Sequence, residues 1–479
     1  MNEKQGRSSN VLIWLWKRLA RPFQNLKRSF RKRMARKGLI QCGGAELNLA
    51  NHPHARRTVC DVLALTKAVE PMLQLYSAEK IASLRAYCVD RSFSAAYRAL
   101  KACILSFDKS YDYIICVPWL TYGGADLEAI HALRAAQERH GLDGVLLVVT
   151  DSDKVPAKHW LPSGTNMRVL SDMEPGLSEE DRNCVLVNLI HHLRPTAVLN
   201  VNSRVCWNVF KRYGMPLAHS TKLYAMLFCY DYTPEGRAVG YATEFFRECF
   251  SFLSGIYADN ASFPRELIRQ FGVPSVYSSK FVTLYQPQDV TSALGGVHDV
   301  FPSPPKDGRF RVFWAGRICR QKNPLLLLEI ARLRPNFVFD IYGVCEEQFE
   351  ATLREHLPVN AHLRGVYSSF DAIPASSYDA FLYTSLWDGL PNVLIKAGAL
   401  KIAIVASGLD GITELIDETT GWPIGNLDAA EDYAKALDQI ANDPHMAEKR
   451  AGMLYCRVME RHSWEKYVAE LAKSPSFIE

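Results

Sequence analysis

From residue 111 onward the chain alternates short, continuous apolar runs with longer stretches whose apolar residues recur every three or four positions. The apolar runs at 113–120, 145–150, 196–201, 223–230 and 281–285 read as buried strands, and the periodic stretches at 125–140, 179–193, 204–213 and 263–271 as helices. Residues 286–308 are rich in Gly, Pro, Ser and Asp and have no period, which marks a linker. The alternation then restarts, with strands expected at 310–315, 337–342, 378–384 and 402–406 and helices at 324–334, 346–356, 392–400 and 429–440. A last helix at 464–473 follows a break at 461–463. This pattern predicts an α/β protein with two doubly wound domains, each a parallel sheet covered by helices on both faces. Ligands in such sheets lie beyond the carboxyl ends of the strands, so the cleft between the domains is the expected site. The division that follows is a lead-in at 41–110, a first domain at 111–287, a linker at 288–308, a second domain at 309–455 and a C-terminal segment at 456–479. The lead-in is expected to be helical, because 52–110 lack strand-like runs while 59–70 and 78–89 have helical periodicity.

Ahead of this body, Leu12, Trp16, Leu19, Phe23, Leu26, Phe30 and Met34 make one apolar stripe of a helix. Lys and Arg fill its other faces, and Pro22 kinks it or starts a second helix. Residues 1–38 hold 12 Lys and Arg against the single acid Glu3, so the formal charge of +5 divides into +11 here and −6 in the rest of the chain. A basic amphipathic helix with Trp and Phe on its apolar side suits an anionic membrane surface, where each Lys or Arg contributes about 1 kcal/mol. Residues 1–40 are therefore expected to be a membrane-associating arm, in contact through 11–37. A nucleic-acid partner would explain the charge but not the aromatic stripe. No apolar stretch approaches the roughly 20 residues of a membrane span, and the short run at 11–16 is followed by basic residues instead of a cleavage site. The 12 cysteines are scattered without a C-x-x-C, as expected of reduced thiols in a cytosolic protein, and metal ligation is not expected. With 48% apolar and 22% charged residues among 479, the composition excludes collagen-like, low-complexity and disulfide-scaffold chains.

Candidate chemistry gathers at three strand ends of the second domain. The strand at 310–315 runs into Gly316 and Arg317, and Lys322 follows just before the helix at 324. Two cations beside a helix N-terminus suit a diphosphate. The strand at 378–384 leads to Asp388, a potential acceptor for sugar hydroxyls, and to the turn Gly389, Leu390, Pro391, Asn392, whose backbone N–H groups can face an anion. The strand at 402–406 leads to Gly411, and Glu414 opens the next helix.

Together, AGRICRQKNP at 315–324, YTSLWDGLPNVLIKAGAL at 383–400 and ASGLDGITELI at 406–416 resemble the family 4 retaining glycosyltransferases of the GT-B fold, also called glycosyl transferases group 1. In the first domain, WLTYGGADLEAIHAL at 119–133 is similar to that family's glycine loop after the first strand. The resemblance covers roughly residues 111–473 and implies two Rossmann-like domains, with a final helix crossing back onto the first. It implies a nucleotide-sugar donor as co-substrate, held mainly by the second domain, and a glycan or lipid-linked acceptor held mainly by the first. By match, Arg317 and Lys322 would hold the donor diphosphate, Gly123 and Gly124 would let the first-domain loop approach it, and Asp388 with the turn 389–392 would hold the sugar. Asp126 and Asp231 are the candidate sugar or acceptor contacts, and His219 reads as structural. No cofactor and no metal are implied.

Two positions depart from the family pattern. The family spaces two carboxylates eight residues apart, but here Asp388 takes the first place and Lys396 the second. A lysine cannot accept hydrogen bonds from ribose hydroxyls. It is expected to donate to a ribose oxygen or phosphate, or to lie on the helix surface. Asp410 stands where a glycine is usual before Gly411 and needs a cation nearby, for which Lys396 is a candidate. The function expected from the resemblance and the arm is sugar transfer with retention, at the inner face of the cytoplasmic membrane, in bacterial surface polysaccharide or lipopolysaccharide assembly. The alternatives are a non-catalytic or impaired GT-B protein that binds sugar or lipid, and a metal-dependent GT-A enzyme using Asp151 and Asp153. A dinucleotide-dependent oxidoreductase is disfavoured because no G-x-G-x-x-G follows a strand.

Overall fold

The computed structural model describes residues 94–107, 110–288, 301–305, 307–367 and 369–474, together with Asp61, Ala64 and the strands Glu46–Asn48 and Arg85–Tyr87. The basic arm at 1–40 and most of the linker lie outside the described residues. The chain divides into two units, Met1–Tyr97 and Arg98–Glu479. In the first unit Glu46–Asn48 pairs antiparallel with Arg85–Tyr87, while Asp61 and Ala64 are helical. The strand Arg85–Tyr87 corrects the helix expected over 78–89. Ladder hydrogen bonds to a distant segment override local helical periodicity, which is a weak prior.

The second unit contains two parallel sheets. The first has seven strands, β1 Tyr113–Val117, β2 Val145–Val149, β3 Asn166–Val169, β4 Ala197–Val201, β5 Lys222–Met226, β6 Gly255–Ala258 and β7 Phe281–Thr283. Their order across the sheet is β7-β6-β5-β4-β1-β2-β3, all parallel. The second sheet comprises β8 Arg311–Ala315, β9 Val338–Tyr342, β10 Ala361–Gly365, β11 Ala380–Tyr383, β12 Ala403–Ser407 and β13 Trp422–Ile424, in the order β10-β9-β8-β11-β12-β13 and again all parallel. Every residue of β1, β2, β4, β8, β9 and β12 is buried, which is why these strands read as mainly apolar runs instead of alternating ones, with Asn200, Arg311, Asp340 and Ser407 as their buried polar members. The order reverses between β1 and β4 and between β8 and β11. At these two places the loops diverge and leave a crevice. Two Rossmann-like domains in this arrangement are the GT-B fold.

The helices that matter here are α1 Gly124–His140, α2 Glu179–Leu193, α3 Arg204–Leu217, α4 Tyr241–Cys249, α5 Ser262–Phe271, α6 Pro324–Leu333, α7 Glu347–His356, α8 Asn392–Ala399, α9 Ala430–Asn442, α10 Pro444–Arg461 and α11 Trp464–Leu471. Helix α2 starts where the sequence places it, because Ser178 accepts the Asp181 N–H at 3.1 Å and Asp181 accepts the Ser178 N–H in return at 3.1 Å. The strand expected at 223–230 stops at Met226, and the chain beyond it turns into a small hairpin pairing Asp231–Tyr232 with Ala238–Val239. The described cysteines are free. Among the described residues no helix is long and apolar enough to cross a membrane.

Helix α10 packs Leu454 and Val458 into the second domain, whereas α11 buries Tyr467 and Leu471 in the core of the first. The Arg134 guanidinium lies 4.4 Å above the Trp464 ring, and the Trp464 indole donates to Glu138 at 2.9 Å. Between the two helices, His462 is buried with Nδ1 2.8 Å from the Gln286 carbonyl oxygen, and the Gln288 N–H donates to the His462 carbonyl at 3.0 Å. Leu471→Ala is expected to cost about 2–5 kcal/mol by leaving a cavity under α11. A lowered urea midpoint and faster proteolysis near 461–463 will report it.

Candidate functional site

The loops after β8 and β11 are neighbours because their strands are. Thr384 binds them together, accepting from the Trp314 indole at 3.0 Å and donating to the Lys322 carbonyl at 2.8 Å. Gln321 adds two bonds, accepting the Leu386 N–H at 2.8 Å and donating to the Trp387 carbonyl at 2.9 Å. This framework brings Lys322 onto Asp388. The ammonium donates to Asp388 Oδ2 and to the Tyr383 hydroxyl, which in turn donates to the same carboxylate oxygen. Ser385 approaches that oxygen at 3.4 Å. Burial, together with the Asp388 charge, pushes the Tyr383 hydroxyl well above its usual pKa, so it stays a donor. Lys322 and Asp388 are only 13% and 17% exposed, so their attraction is weakly screened. Arg317, after Gly316, is exposed and donates to Gln321 at 3.3 Å. Of the two cations read from the sequence, one already has a carboxylate partner and the other is available to a ligand.

The glycine turns carry carboxylates of their own. Gly123 precedes α1, and its N–H donates to Asp126 Oδ2 at 3.2 Å, as does the Thr121 hydroxyl at 2.8 Å. Burial raises the Asp126 carboxyl to about 6, opposed by these bonds and by the Arg317 charge across the cleft. Gly124 opens α1. Across the cleft, Pro391 caps α8 and Asn392 opens it, while the Leu390 N–H donates to Asp259 at 3.0 Å. Asp259 follows β6 of the first domain and is buried.

The remaining candidates are spread around this centre. Glu414 turns to the first domain, where it accepts from the Ala261 N–H at 3.0 Å and the Tyr285 hydroxyl at 2.7 Å. Gly411 lies in the short helix Asp410–Thr413, which Glu414 closes instead of opening the next helix. Asp231 accepts from the Trp387 indole at 3.2 Å, and Arg320 donates to the Tyr232 and Thr233 carbonyls at 2.6 and 2.9 Å. These contacts close one wall of a cavity of about 300 Å³ lined by Phe228, Tyr232, Asn260, Trp387, Asp388 and Gly411 from both domains. His219 is exposed, with Nδ1 2.9 Å from the Met215 carbonyl, away from this cavity's lining.

Lys396 is buried on α8, not on a helix surface, and its ammonium lies 3.9 Å from Asp371. Burial lowers its pKa to about 8, and its charge helps to depress His131 on α1. The side chain of Asp410, its expected partner, lies outside the described ones. Asp151, half of the pair in the metal-dependent alternative, accepts the Val205 N–H at 3.0 Å and the Thr150 hydroxyl at 2.9 Å, so it caps α3. Among the described residues no group of three or more His, Cys, Asp or Glu side chains could hold a metal ion. Asp259, Arg320, Tyr383 and Trp387 were not singled out by the sequence. Tyr383 and Trp387 sit inside the motif at 383–400 and were within reach, whereas Asp259 is defined only by a partner 131 residues away.

Residues 309–443 match the sequence profile of the family described as "Glycosyl transferases group 1". The second domain thus resembles the glycosyl transferases group 1. Among curated proteins, this chain is 27% identical over 148 residues to the UDP-Gal:alpha-D-GlcNAc-diphosphoundecaprenol alpha-1,3-galactosyltransferase of Escherichia coli, covering 29% of this chain and 38% of that protein. It is 28% identical over 139 residues to the O-antigen biosynthesis glycosyltransferase WbnH of Escherichia coli, covering 29% of this chain and 39% of that one. The matched part of the chain thus spans less than two-fifths of each relative's length. Among solved structures, Anabaena Alr3699/HepE in complex with UDP and glucose superposes with a TM-score of 0.59 at 14% identity, over 76% of this chain and 99% of that one. At that identity the likeness establishes the fold.

The buried Lys396 yields a prediction. Its pKa lies below the usual 10.5, so between about 8 and 10.5 the unfolded state binds more protons and stability rises with pH. At pH 7 the charged lysine therefore costs stability, and Lys396→Met is expected to gain roughly 1–3 kcal/mol there. The gain should shrink at pH 9.5. Urea titrations at the two pH values measure the difference.

Proposed function

We propose that this protein transfers a sugar from a nucleotide-sugar donor to a lipid-linked glycan acceptor, with retention and without a metal, during assembly of a bacterial surface polysaccharide. The observation that carries this reading is the convergence of Arg317, the Lys322–Asp388 pair and the turn ahead of α8 on the switch point of a domain that resembles group 1. Both curated relatives are glycosyltransferases, and one is named for a diphosphoundecaprenol-linked substrate, which supports a lipid-linked acceptor here. The preferred donor base is uracil, by analogy with the same relative's UDP-Gal and the solved structure's UDP.

In this mechanism the bond from the sugar's anomeric carbon to the donor phosphate breaks as the acceptor oxygen bonds to that carbon from the same face. The departing phosphate oxygen takes the acceptor's proton. Negative charge grows on the leaving diphosphate, and preorganised donors there are the largest service a protein offers. Arg317 supplies one positive charge, and Lys322 supplies a second once the donor competes with Asp388 for it. The Asp388 carboxylate released from Lys322 then accepts sugar hydroxyls. Asp126, Asp231, Gly123 and Gly124 line the approach from the first domain.

Residues 11–37 would hold the enzyme at an anionic inner-membrane surface, where such acceptors reside. Full-length protein is expected to pellet with anionic liposomes, and deletion of 1–38 to abolish pelleting. Undiminished pelleting would refute the membrane role.

A nucleotide-sugar binding at 100 times its dissociation constant stabilises the fold by about 2.7 kcal/mol, which a thermal shift detects. UDP-sugars are expected to raise the melting temperature, and Arg317→Ala to abolish the rise. Lys322→Ala is expected to lower kcat roughly 100-fold or more. Turnover should survive EDTA. Donor binding without transfer to any lipid-linked acceptor would favour the non-catalytic alternative.

A further inference from the structure

Residues 259–262 form a short strip of the first domain, from the end of β6 to the first residue of α5, through which the two domains exchange carboxylates. Asp259 reaches outward, and its Oδ2 accepts the Leu390 N–H of the second domain at 3.0 Å. Glu414 reaches inward from the second domain and accepts from the Ala261 N–H at 3.0 Å and the Ser262 hydroxyl at 2.5 Å. Asn260 stands between them. Its amide donates to Asp259 Oδ1 at 2.7 Å, and its carbonyl oxygen accepts the Phe263 N–H at 2.8 Å, which caps α5.

The fit leaves no room for a side chain. A Cβ on Gly389 would come within 2.6 Å of Asp259 Oδ1. A Cβ on Gly411 would come within 2.6 Å of the Gly389 carbonyl oxygen and 3.2 Å of Asn260 Cγ. The glycines at both positions therefore let the donor turn, the short helix before Glu414 and the strip close on one another.

Asp259 is an expensive residue to keep in this place. The titratable groups that face it are Glu128 of α1, Asp388 with its partner Lys322, and the Cys229 thiol after β5. Glu128 and Asp388 carry or can carry its own sign. Burial, opposed by the Leu390 and Asn260 hydrogen bonds and reinforced by Glu128 and Asp388, raises its pKa to about 8. A neutral residue would avoid this penalty, so a role that needs its reach into the opposite domain is required to explain it.

We propose that Asp259 is a positioning residue for the donor turn: by accepting the Leu390 N–H from across the cleft, it sets the geometry of residues 388–392 only when the domains are closed. Closure and turn geometry are then a single event. The proposal rests on the reading of this cleft as the donor site. Protonated Asp259 performs the role without charge, and its ionisation above about pH 8 places a negative charge beside an incoming diphosphate.

The test uses the full chain, hydrogen–deuterium exchange over residues 386–392, and calorimetric titration with UDP. Asp259→Ala is expected to raise exchange in that peptide and to weaken UDP binding, each roughly tenfold. Asp259→Asn keeps an acceptor and is expected to restore both at pH 7. The native protein is expected to lose UDP affinity between pH 7 and 9, and Asp259→Asn to abolish that loss. Gly389→Ala, whose Cβ expels Asp259, is expected to match Asp259→Ala, and the double variant to be no worse than either single one. Unchanged exchange over 386–392 in Asp259→Ala, with UDP bound as in the native protein, overturns the proposal. So does an unaltered pH profile in Asp259→Asn. Raised exchange in Asp259→Ala with no UDP binding by the native protein supports the interdomain coupling and overturns the donor reading instead.

Discussion

Parallel pairing obliges every strand of a sheet to end on the same edge. The loops of each domain are therefore collected at one rim, and the two rims face each other. In the second domain β8 and β11 are hydrogen-bonded neighbours although some 65 residues separate them, so the loops that follow them meet. The meeting of Lys322 with Asp388 is a consequence of that pairing. So is the tie through Thr384, which fixes both loops to the buried indole of Trp314. The chemistry of the rim is thus held by the sheet itself and does not depend on the loops' own conformational preferences.

Charge is distributed in an unusual way over this rim. Carboxylates occupy the glycine turns, at Asp126 beside Gly123 and at Asp259 beside Leu390, and a third neutralises Lys322. Each of these oxygens accepts a donor that a phosphate or a sugar hydroxyl could also claim. The cleft is therefore internally satisfied, as buried polar groups must be. A ligand has to replace these bonds one for one, which selects for ligands rich in acceptor oxygens and penalises those that leave a donor unmatched. Lys396 sits behind the rim as a buried cation whose charge reaches His131 of α1.

The periodic elements were readable because local and global preferences agree there. Helix α2 has both its apolar spacing and its capping box written in the sequence, and the buried strands β1 and β2 are unbroken apolar runs. Helix α10 was missed although Ala447, Ala451, Leu454 and Val458 follow helical spacing, because two of its four buried positions are alanines within a highly charged segment. Edge strand β3 reads Asn-Met-Arg-Val and lacks the apolar run that marks a central strand. The motifs located the rim correctly, since each lies at a strand end. What they could not convey is partnership across the cleft. Glu414 serves Ala261 from 153 residues away, and no local pattern records such a pair. The expected helix over 78–89 failed for a related reason, because the partner of Arg85–Tyr87 lies far upstream.

The chain passes between the two domains twice, once near Gln286 and once at His462, and the passages are stitched side by side. His462 faces the Gln286 carbonyl, Gln288 donates back to His462, and the Arg461 guanidinium lies 5.1 Å above the Tyr285 ring. Burial lowers the His462 imidazole to about 4, so it remains neutral and donates from Nδ1 across the physiological range. Two adjacent tethers define a spine, as in the binding of a book. A displacement at this spine carries to the far margin of the cleft in proportion to its distance from the spine.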